Sequence, residues 1–508
     1  MKSHLKALAS RFPGLAATLR PAAHAVIAVA TRDNITWTKH KLGMDTRSRA
    51  EREHDEAAAR AEALGRAALA EHQARELKET EANDRLDHAA NDPAAPGIGT
   101  LAAGRNVLML VVSDLRIDPR VEREARALAA AGYHVTVICP DPTVGKDPSV
   151  SVDWGKGITA IFTDWKCSQY VGRSPGFKGG MLFDAALKVA RELKPFAVHG
   201  HDLNTCYVAS ALARQTGAHL VVDFHEWTSE NVHWSGAEQG WQPYPEDWRQ
   251  ELKALEHKVV LEASASITVS EHIAKTISEE VGGQRQLTLI RNVPSLALEP
   301  TRPYLTLKQQ LGLPEDRFVL LYQGGTGPSR LIEPIIEALA HAPACTFVIR
   351  GPSLDRFGED YRAIAEAGGF KDRLFLMPPV PSKDVVAAAR GADAGIYSVL
   401  GVGKNFIYAL PNKIFEYAAA GLPVLSADYP EASKFVREHD IGLTFAPTDP
   451  RSIAAAINLL IDEPALAKRL RINSAALTAD LLGQDEWAKL VALYDALPKA
   501  PPEGRVGA

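Results

Sequence analysis

Residues able to do chemistry are concentrated in a few short stretches of this 508-residue chain, and the densest runs from Ala409 to Asp428. Its order is a turn, a short helix, a glycine stop and a buried strand. Pro411 suits a first helical turn, and Asn412 can cap the open backbone donors there. Gly421 can take the left-handed conformation that ends a helix, and Leu422 to Ala427 read as a core strand. About nine residues of helix span roughly 13 Å, too short for a packing rod. Lys413 lies in the first turn and Glu416 one turn further in. A helix N-terminus attracts phosphate, and a carboxylate at that depth can accept hydrogen bonds from two ribose hydroxyls. The bland alternative is a capped helix with Glu416 set favourably against its dipole.

Other stretches offer complementary chemistry. Gly324 and Gly325, in Tyr322-Gln-Gly-Gly-Thr-Gly-Pro-Ser-Arg330, let backbone amides approach an anion, and Arg330 can pair with phosphate. Lys404 ends a second glycine-containing loop, Gly401-Val-Gly-Lys404. Val198-His-Gly-His-Asp-Leu-Asn204 closes a strand and supplies imidazole, which shares protons near neutral pH; Asp202 and Asn204 can orient it. No Asp-x-Asp occurs in the chain. The loop Ser113–Arg120 leaves the first strand without G-x-G-x-x-G, which argues against a dinucleotide cofactor, but it carries Asp118 and Arg120. Asp223-Phe-His-Glu226 ends another strand and opens a loop holding Trp227, Trp234, Trp241, Tyr244 and Trp248, read as an acceptor lid stacking on sugar rings, with a lipid-interface contact or a buried local core as the alternatives.

The string Pro-Asn-Lys-Ile-Phe-Glu-Tyr, 411–417, resembles the nucleotide-binding segment of retaining glycosyltransferases of family 4, which have the two-Rossmann GT-B fold. The resemblance covers residues 105 to about 495. It implies sugar transfer from a nucleoside diphosphate sugar (UDP-, GDP- or ADP-linked) to a hydroxyl of a glycan or lipid-linked acceptor, with retention and without a metal or cofactor. The leaving diphosphate would take the acceptor proton. His201 matches the family's active-site histidine. Glu416 would bind ribose, with Arg330, Lys413, Asn412, Lys404, Gly324 and Gly325 completing the donor site. Asp118, Arg120, Asp202, Glu226 and Tyr408 are candidates for the acceptor side or interdomain cleft. Two positions depart from the pattern. Gly325 replaces one of two expected cations, so that one phosphate contact is either missing or supplied by Lys404 or Lys413. Tyr408 replaces the first Glu of Glu-x7-Glu, which bears on sugar identity and catalysis. A non-catalytic nucleotide-binding protein and a sugar-nucleotide 2-epimerase are the competing readings.

These residues need two doubly wound sheets to position them, since ligands collect beyond the carboxyl ends of parallel strands. Strand-like runs at 106–112, 134–139, 158–163, 197–200, 219–224, 266–269 and 287–291 suit one α/β domain, 101–297. A second series at 318–322, 346–350, 373–377, 394–398, 423–427 and 443–445 suits another, 298–482. The resemblance sends a last helix, within 483–497, back to the first domain, and 498–508 read as a disordered tail. Residues 1–100 form a helical extension: a basic amphipathic start over 1–20 suited to a membrane surface, an exposed helix at 46–90, and a linker at 91–100. A formal charge of −5 argues against a nucleic-acid partner, four scattered cysteines suit the cytoplasm, and no apolar run is long enough to span a membrane.

Overall fold

A computed structural model describes residues 49–140, 150–163, 168–171, 174–294, 300, 302–484 and 486–499. The basic 1–20 segment and the 500–508 part of the tail lie outside these residues, as does the expected domain divide near 297. No described helix is long and apolar enough to cross a membrane. Among the described residues, 49–85 form one unit and 86 onward a second. A helix covers Arg49–Asn91, and its end packs Leu86, Ala89 and Ala90 into the core of the second unit. The expected linker that follows is held in place. Gly97, Gly99 and Leu101 donate backbone hydrogen bonds to Arg214, Ala218 and Gly217, at the end of the Asp202–Thr216 helix.

The second unit contains two large sheets. In chain order the strands are β1 (Asn106–Leu110), β2 (His134–Pro140), β3 (Val150–Gly155), β4 (Ile158–Thr163), a hairpin β5–β6 (Ser168–Val171, Ser174–Lys178), β7 (Ala197–His201) and β8 (His219–Phe224). A second hairpin, β9–β10 (Val232–Ser235, Gly240–Pro243), precedes β11 (Ala265–Thr268) and β12 (Leu287–Leu289). The first sheet runs β12-β11-β8-β7-β1-β2-β4-β3, parallel except at β3. Then come β13 (Phe318–Gln323), β14 (Cys345–Arg350), β15 (Leu374–Met377), β16 (Ala394–Tyr397), β17 (Val424–Ala427) and β18 (Gly442–Phe445). They form an all-parallel sheet in the order β15-β14-β13-β16-β17-β18. Strand order reverses direction between β1 and β7 in one sheet and between β13 and β16 in the other. The loops at those crevices are the ones that carry the candidate residues.

Burial explains the strand texture. Every residue of β7, β8 and β14 is buried, as expected for strands covered by helices on both faces. The antiparallel β3 was missed in the sequence, because Val150–Gly155 shows only a short alternation after a Pro- and Gly-containing stretch. The Pro464–Gln484 helix packs Leu470 and Leu477 in second-domain cores, while Glu486–Asp495 sends Leu490 and Tyr494 into a first-domain core.

Candidate active site

The first-domain wall is organised by the Pro119–Ala130 helix. The Asp118 carboxylate caps it, accepting from the Arg120 and Val121 amides, and also accepts from the Ser113 hydroxyl. Val121, Ala125 and Leu128 bury one face, and Arg120 and Glu124, one turn apart, are buried with them. Two charges on an apolar face need partners. The Arg120 guanidinium grips both oxygens of Asp223 at 3.0 Å, donates to the Ile290 carbonyl at 3.0 Å, and lies 3.0 Å from Glu124. Asp223 is the last but one residue of β8, directly across from His201 at the end of β7.

His201 is completely buried, stacked on His199 at 4.2 Å. Gly200 between them is required by packing, since a Cβ there would lie 2.6 Å from Cys206 Cα. Immediately after His201 the backbone turns left-handed at Asp202 (φ 61°), an uncommon conformation for a non-glycine residue and a local cost held by the fold. His225 bridges the group: its Nε2 lies 3.0 Å from Asp223 and 3.3 Å from His201 Nδ1, and its backbone N–H donates to Asp202. Burial alone disfavours an imidazolium, but the Asp202 and Asp223 carboxylates outweigh it and push the His225 pKa up to about 10. His225 then donates from Nε2, and His201, kept neutral chiefly by burial, can accept. The other His201 nitrogen, Nε2, finds no partner among the described residues. Burial and the Asp223 charge raise the Glu124 pKa well above its usual range, while Arg120 and His225 hold Asp223 well below its own despite burial.

The opposite wall belongs to the second sheet. The Asn412–Ala419 helix starts after Pro411, whose position is the cap, and no side chain caps it. Asn412 is therefore the first helical residue rather than the expected cap, and its N-terminal amides are left for an anion. Lys413 lies against Gly324, where a Cβ would come within 2.6 Å of its Cε and Nζ, and over the Tyr322 ring at 5.5 Å. Burial, reinforced by Arg330, lowers the Lys413 pKa to about 8 against the pull of Glu416. Burial likewise raises the Glu416 pKa, against Lys413 and Arg123. No hydrogen bond or ion pair engages the Glu416 side chain among the described residues. Between the walls is a cleft of about 390 Å³, lined by Asp118, Arg120, His225 and Glu226 from the first domain and by Arg330, Asn412 and Lys413 from the second.

Comparison with known proteins gives this cleft its context. Residues 117–293 match the "Glycosyl transferase 4-like domain" family and residues 305–476 match "Glycosyl transferases group 1". The chain belongs to the family 4-like GT-B glycosyltransferases. It is 26% identical over 384 residues to a glycogen synthase of Mycobacterium tuberculosis, covering 71% of this chain and 86% of that protein. Among solved structures, sucrose-phosphate synthase from Thermosynechococcus elongatus superposes with a TM-score of 0.62 at 19% identity, over 78% of this chain and 99% of that one. Anabaena HepE, solved with UDP and glucose, gives a TM-score of 0.55 at 15% identity, over 77% of this chain and all of that one. The GT-B fold rests on these likenesses together with the two parallel sheets.

The structure brings together most candidate residues of this glycosyltransferase, with four adjustments. Arg120 is 2% exposed and spent on Asp223 and Glu124, so it builds the cleft wall and is not a free cation for an acceptor. Lys404 lies outside the cleft lining, 3.4 Å from Glu230, which leaves Lys413 as the second cation beside Arg330. Tyr408 stacks face to face on His272 at 3.5 Å and joins the domains instead of lining the cleft. Trp227 is buried in a core, its backbone N–H held by Asn405; of the expected aromatic lid, Trp234 is the exposed member. His201 stands directly behind His225, which lines the cleft, and Asp202 backs His225. Gly325 accepts a hydrogen bond from the Tyr322 hydroxyl. Sequence reading passed over Glu124, although it falls three and four positions from Val121, Leu128 and Arg120 on the apolar face. It also left Asp223 and His225 out of the site, although both stand in Asp223-Phe-His-Glu226.

Proposed function

We propose that this glycosyltransferase is a retaining, metal-independent enzyme. It moves a sugar from a nucleoside diphosphate sugar to a hydroxyl of a glycan or lipid-linked acceptor, in cytoplasmic polysaccharide, glycolipid or glycoconjugate assembly. One observation carries the reading: an uncapped helix N-terminus at Asn412 enters the cleft together with Lys413 and Arg330, with Glu416 one turn deeper. That arrangement suits a diphosphate followed by a ribose. The UDP and glucose of the Anabaena neighbour support a uridine donor, and the glycogen synthase relative supports a polysaccharide setting.

In this reading Lys413, Arg330 and the helix amides stabilise charge growing on the leaving diphosphate. The anomeric carbon–oxygen bond to phosphate breaks, the acceptor oxygen bonds to the same face, and the acceptor proton passes to the departing diphosphate. His225 faces the donor sugar from the cleft lining, and His201 behind it fixes the His225 ring through its Nδ1 as the domains close and expel water. Glu124, His201, Asp223 and His225 offer atoms within 4.8 Å of one another, a spacing a metal could use. A dication there would sit beside the buried Arg120 guanidinium, so the group reads better as an acid–base cluster. Tyr408, committed to His272, favours a second reading in which nucleotide binds without transfer.

The test is a thermal-shift panel with UDP, GDP, ADP and their common sugars, with Glu416→Ala alongside. One nucleotide should raise the melting point of the wild type by several degrees and leave the variant unmoved. No shift in folded protein with any of them would sink the donor-site assignment. Binding without sugar transfer or donor hydrolysis would select the second reading.

A further inference from the structure

We propose that the acceptor is an uncharged polyol, such as a neutral sugar or cyclitol, with no phosphate close to the reacting hydroxyl. The inference rests on the glycosyltransferase reading above and concerns the first-domain wall of the same cleft. That wall presents Ile117, Asp118, Arg120, His225 and Glu226. Its two cations are already used. Arg120 is enclosed by Asp223, Glu124 and the Ile290 carbonyl, and His225 is set between Asp223 at 3.0 Å and Asp202 at 3.7 Å. Asp118 and Glu226 remain as carboxylates on the cleft, and the exposed Glu226 is engaged by the Asn231 amide at 3.1 Å.

The helix termini repeat this asymmetry. On the second-domain wall the Asn412 helix is uncapped and accompanied by Lys413 and Arg330. On the first-domain wall the Pro119–Ala130 helix is closed by its own Asp118 carboxylate; the Asp202–Thr216 helix has no side-chain cap, but carries the Asp202 carboxylate in its first turn, accepting from the His225 amide. The amides at the start of the Pro119–Ala130 helix are thus covered by negative charge, and the second helix start carries a carboxylate of its own. Sugar hydroxyls, in contrast, donate well to carboxylates in short, charge-assisted hydrogen bonds. Ile117, 72% exposed, adds an apolar contact for the C–H face of a ring.

The experiment uses the full chain and the nucleotide sugar that stabilises it. Product formation is followed by mass spectrometry with matched pairs: maltose and maltose 1-phosphate, glucose and glucose 6-phosphate, myo-inositol and its 1-phosphate. Transfer should favour neutral members at least tenfold in kcat/KM. Glu226→Lys should move the neutral-to-phosphorylated ratio about tenfold toward phosphorylated acceptors. Preference for phosphorylated members, equal use of both series, no transfer to any neutral member while nucleotide still binds, or a ratio untouched by Glu226→Lys would each overturn the proposal. Loss of nucleotide binding to the wild type would count against the donor site instead.

Discussion

At the scale of single residues, the two walls assign different roles to Glu416 and His201. Glu416 lies deep on the donor wall and carries no ion pair among the described residues, so its carboxylate is available to ribose hydroxyls. Glu416→Ala should weaken nucleotide binding by about 2 kcal/mol, roughly thirtyfold in Kd by calorimetry. His201 is enclosed by His199 and His225 on the other wall. His201→Ala should leave nucleotide Kd within about twofold and lower transfer by about a hundredfold or more. Equal loss of binding in both variants would undo the division of roles. Lys413 adds a pH signature. Its folded pKa of about 8 is below the ordinary lysine value, so above pH 8 the free protein holds it largely neutral. A bound diphosphate favours the ammonium form, so binding at pH 8.5 should take up a proton, and at pH 6.5 Lys413 should take up none. Calorimetry in buffers of different ionisation enthalpy reads this directly, and pH-independent uptake at the two values would exclude Lys413 as the phosphate contact. Linkage runs the same way for folding: an unfolded lysine binds the proton that the native state refuses, so this group's cost to stability falls as pH rises from 8.

At the scale of elements, the β13 loop and the Asn412 helix fit together through Gly324. Its φ of 136° lies where side chains are strained, and a Cβ would strike Lys413. Gly324→Ala should therefore displace Lys413 and weaken nucleotide binding about tenfold or more while far-UV circular dichroism stays unchanged; undiminished affinity would show that Lys413 needs no such seat. The elements were legible in the sequence because parallel strands buried on both faces read as apolar runs and glycines mark their ends. Glu416, Lys413 and Arg330 were legible because a helix start and a glycine-rich loop are local features. Other parts depended on distant partners. Whether Arg120 is a free cation depends on Asp223, about a hundred positions away, and whether Lys404 meets phosphate depends on Glu230. Tyr408 looked like a defect in a motif, but its ring is matched to His272 in the other domain. Aromatic density after β8 did not distinguish a buried Trp227 from an exposed Trp234, because local sequence does not carry that difference.

At the scale of the whole second unit, two consecutive helices belong to different domains, and this links the two foldings. Pro464–Gln484 is fixed to the second domain by Leu470, Leu477 and a Ser474 hydroxyl that donates to the Leu422 carbonyl. Glu486–Asp495 is fixed to the first by Leu490 and Tyr494, by Tyr494 to His199 at 3.0 Å, by Tyr133 donating to Asp495, and by Arg291 to Glu486. Burying Leu490, Tyr494 and Leu497 contributes on the order of 6 kcal/mol, a large share of a domain's net stability. Without that helix, the domains would be joined near the cleft by the Tyr408–His272 stack, Asn405 accepting from the Trp227 amide, the Lys404–Glu230 and Lys434–Glu271 ion pairs, and Glu431 accepting from the Glu271 and His272 amides. Such local and partly exposed contacts are weak beside a core. The intact chain should therefore melt in one calorimetric transition for residues 86–499. Removing residues 486–508 should split it in two, the first domain melting earlier and the second near its original temperature. His199 would lose its Tyr494 partner in the same deletion, so transfer should fall further than donor binding. A truncated chain that still melts in one transition at the original temperature would show that the cleft contacts alone couple the domains.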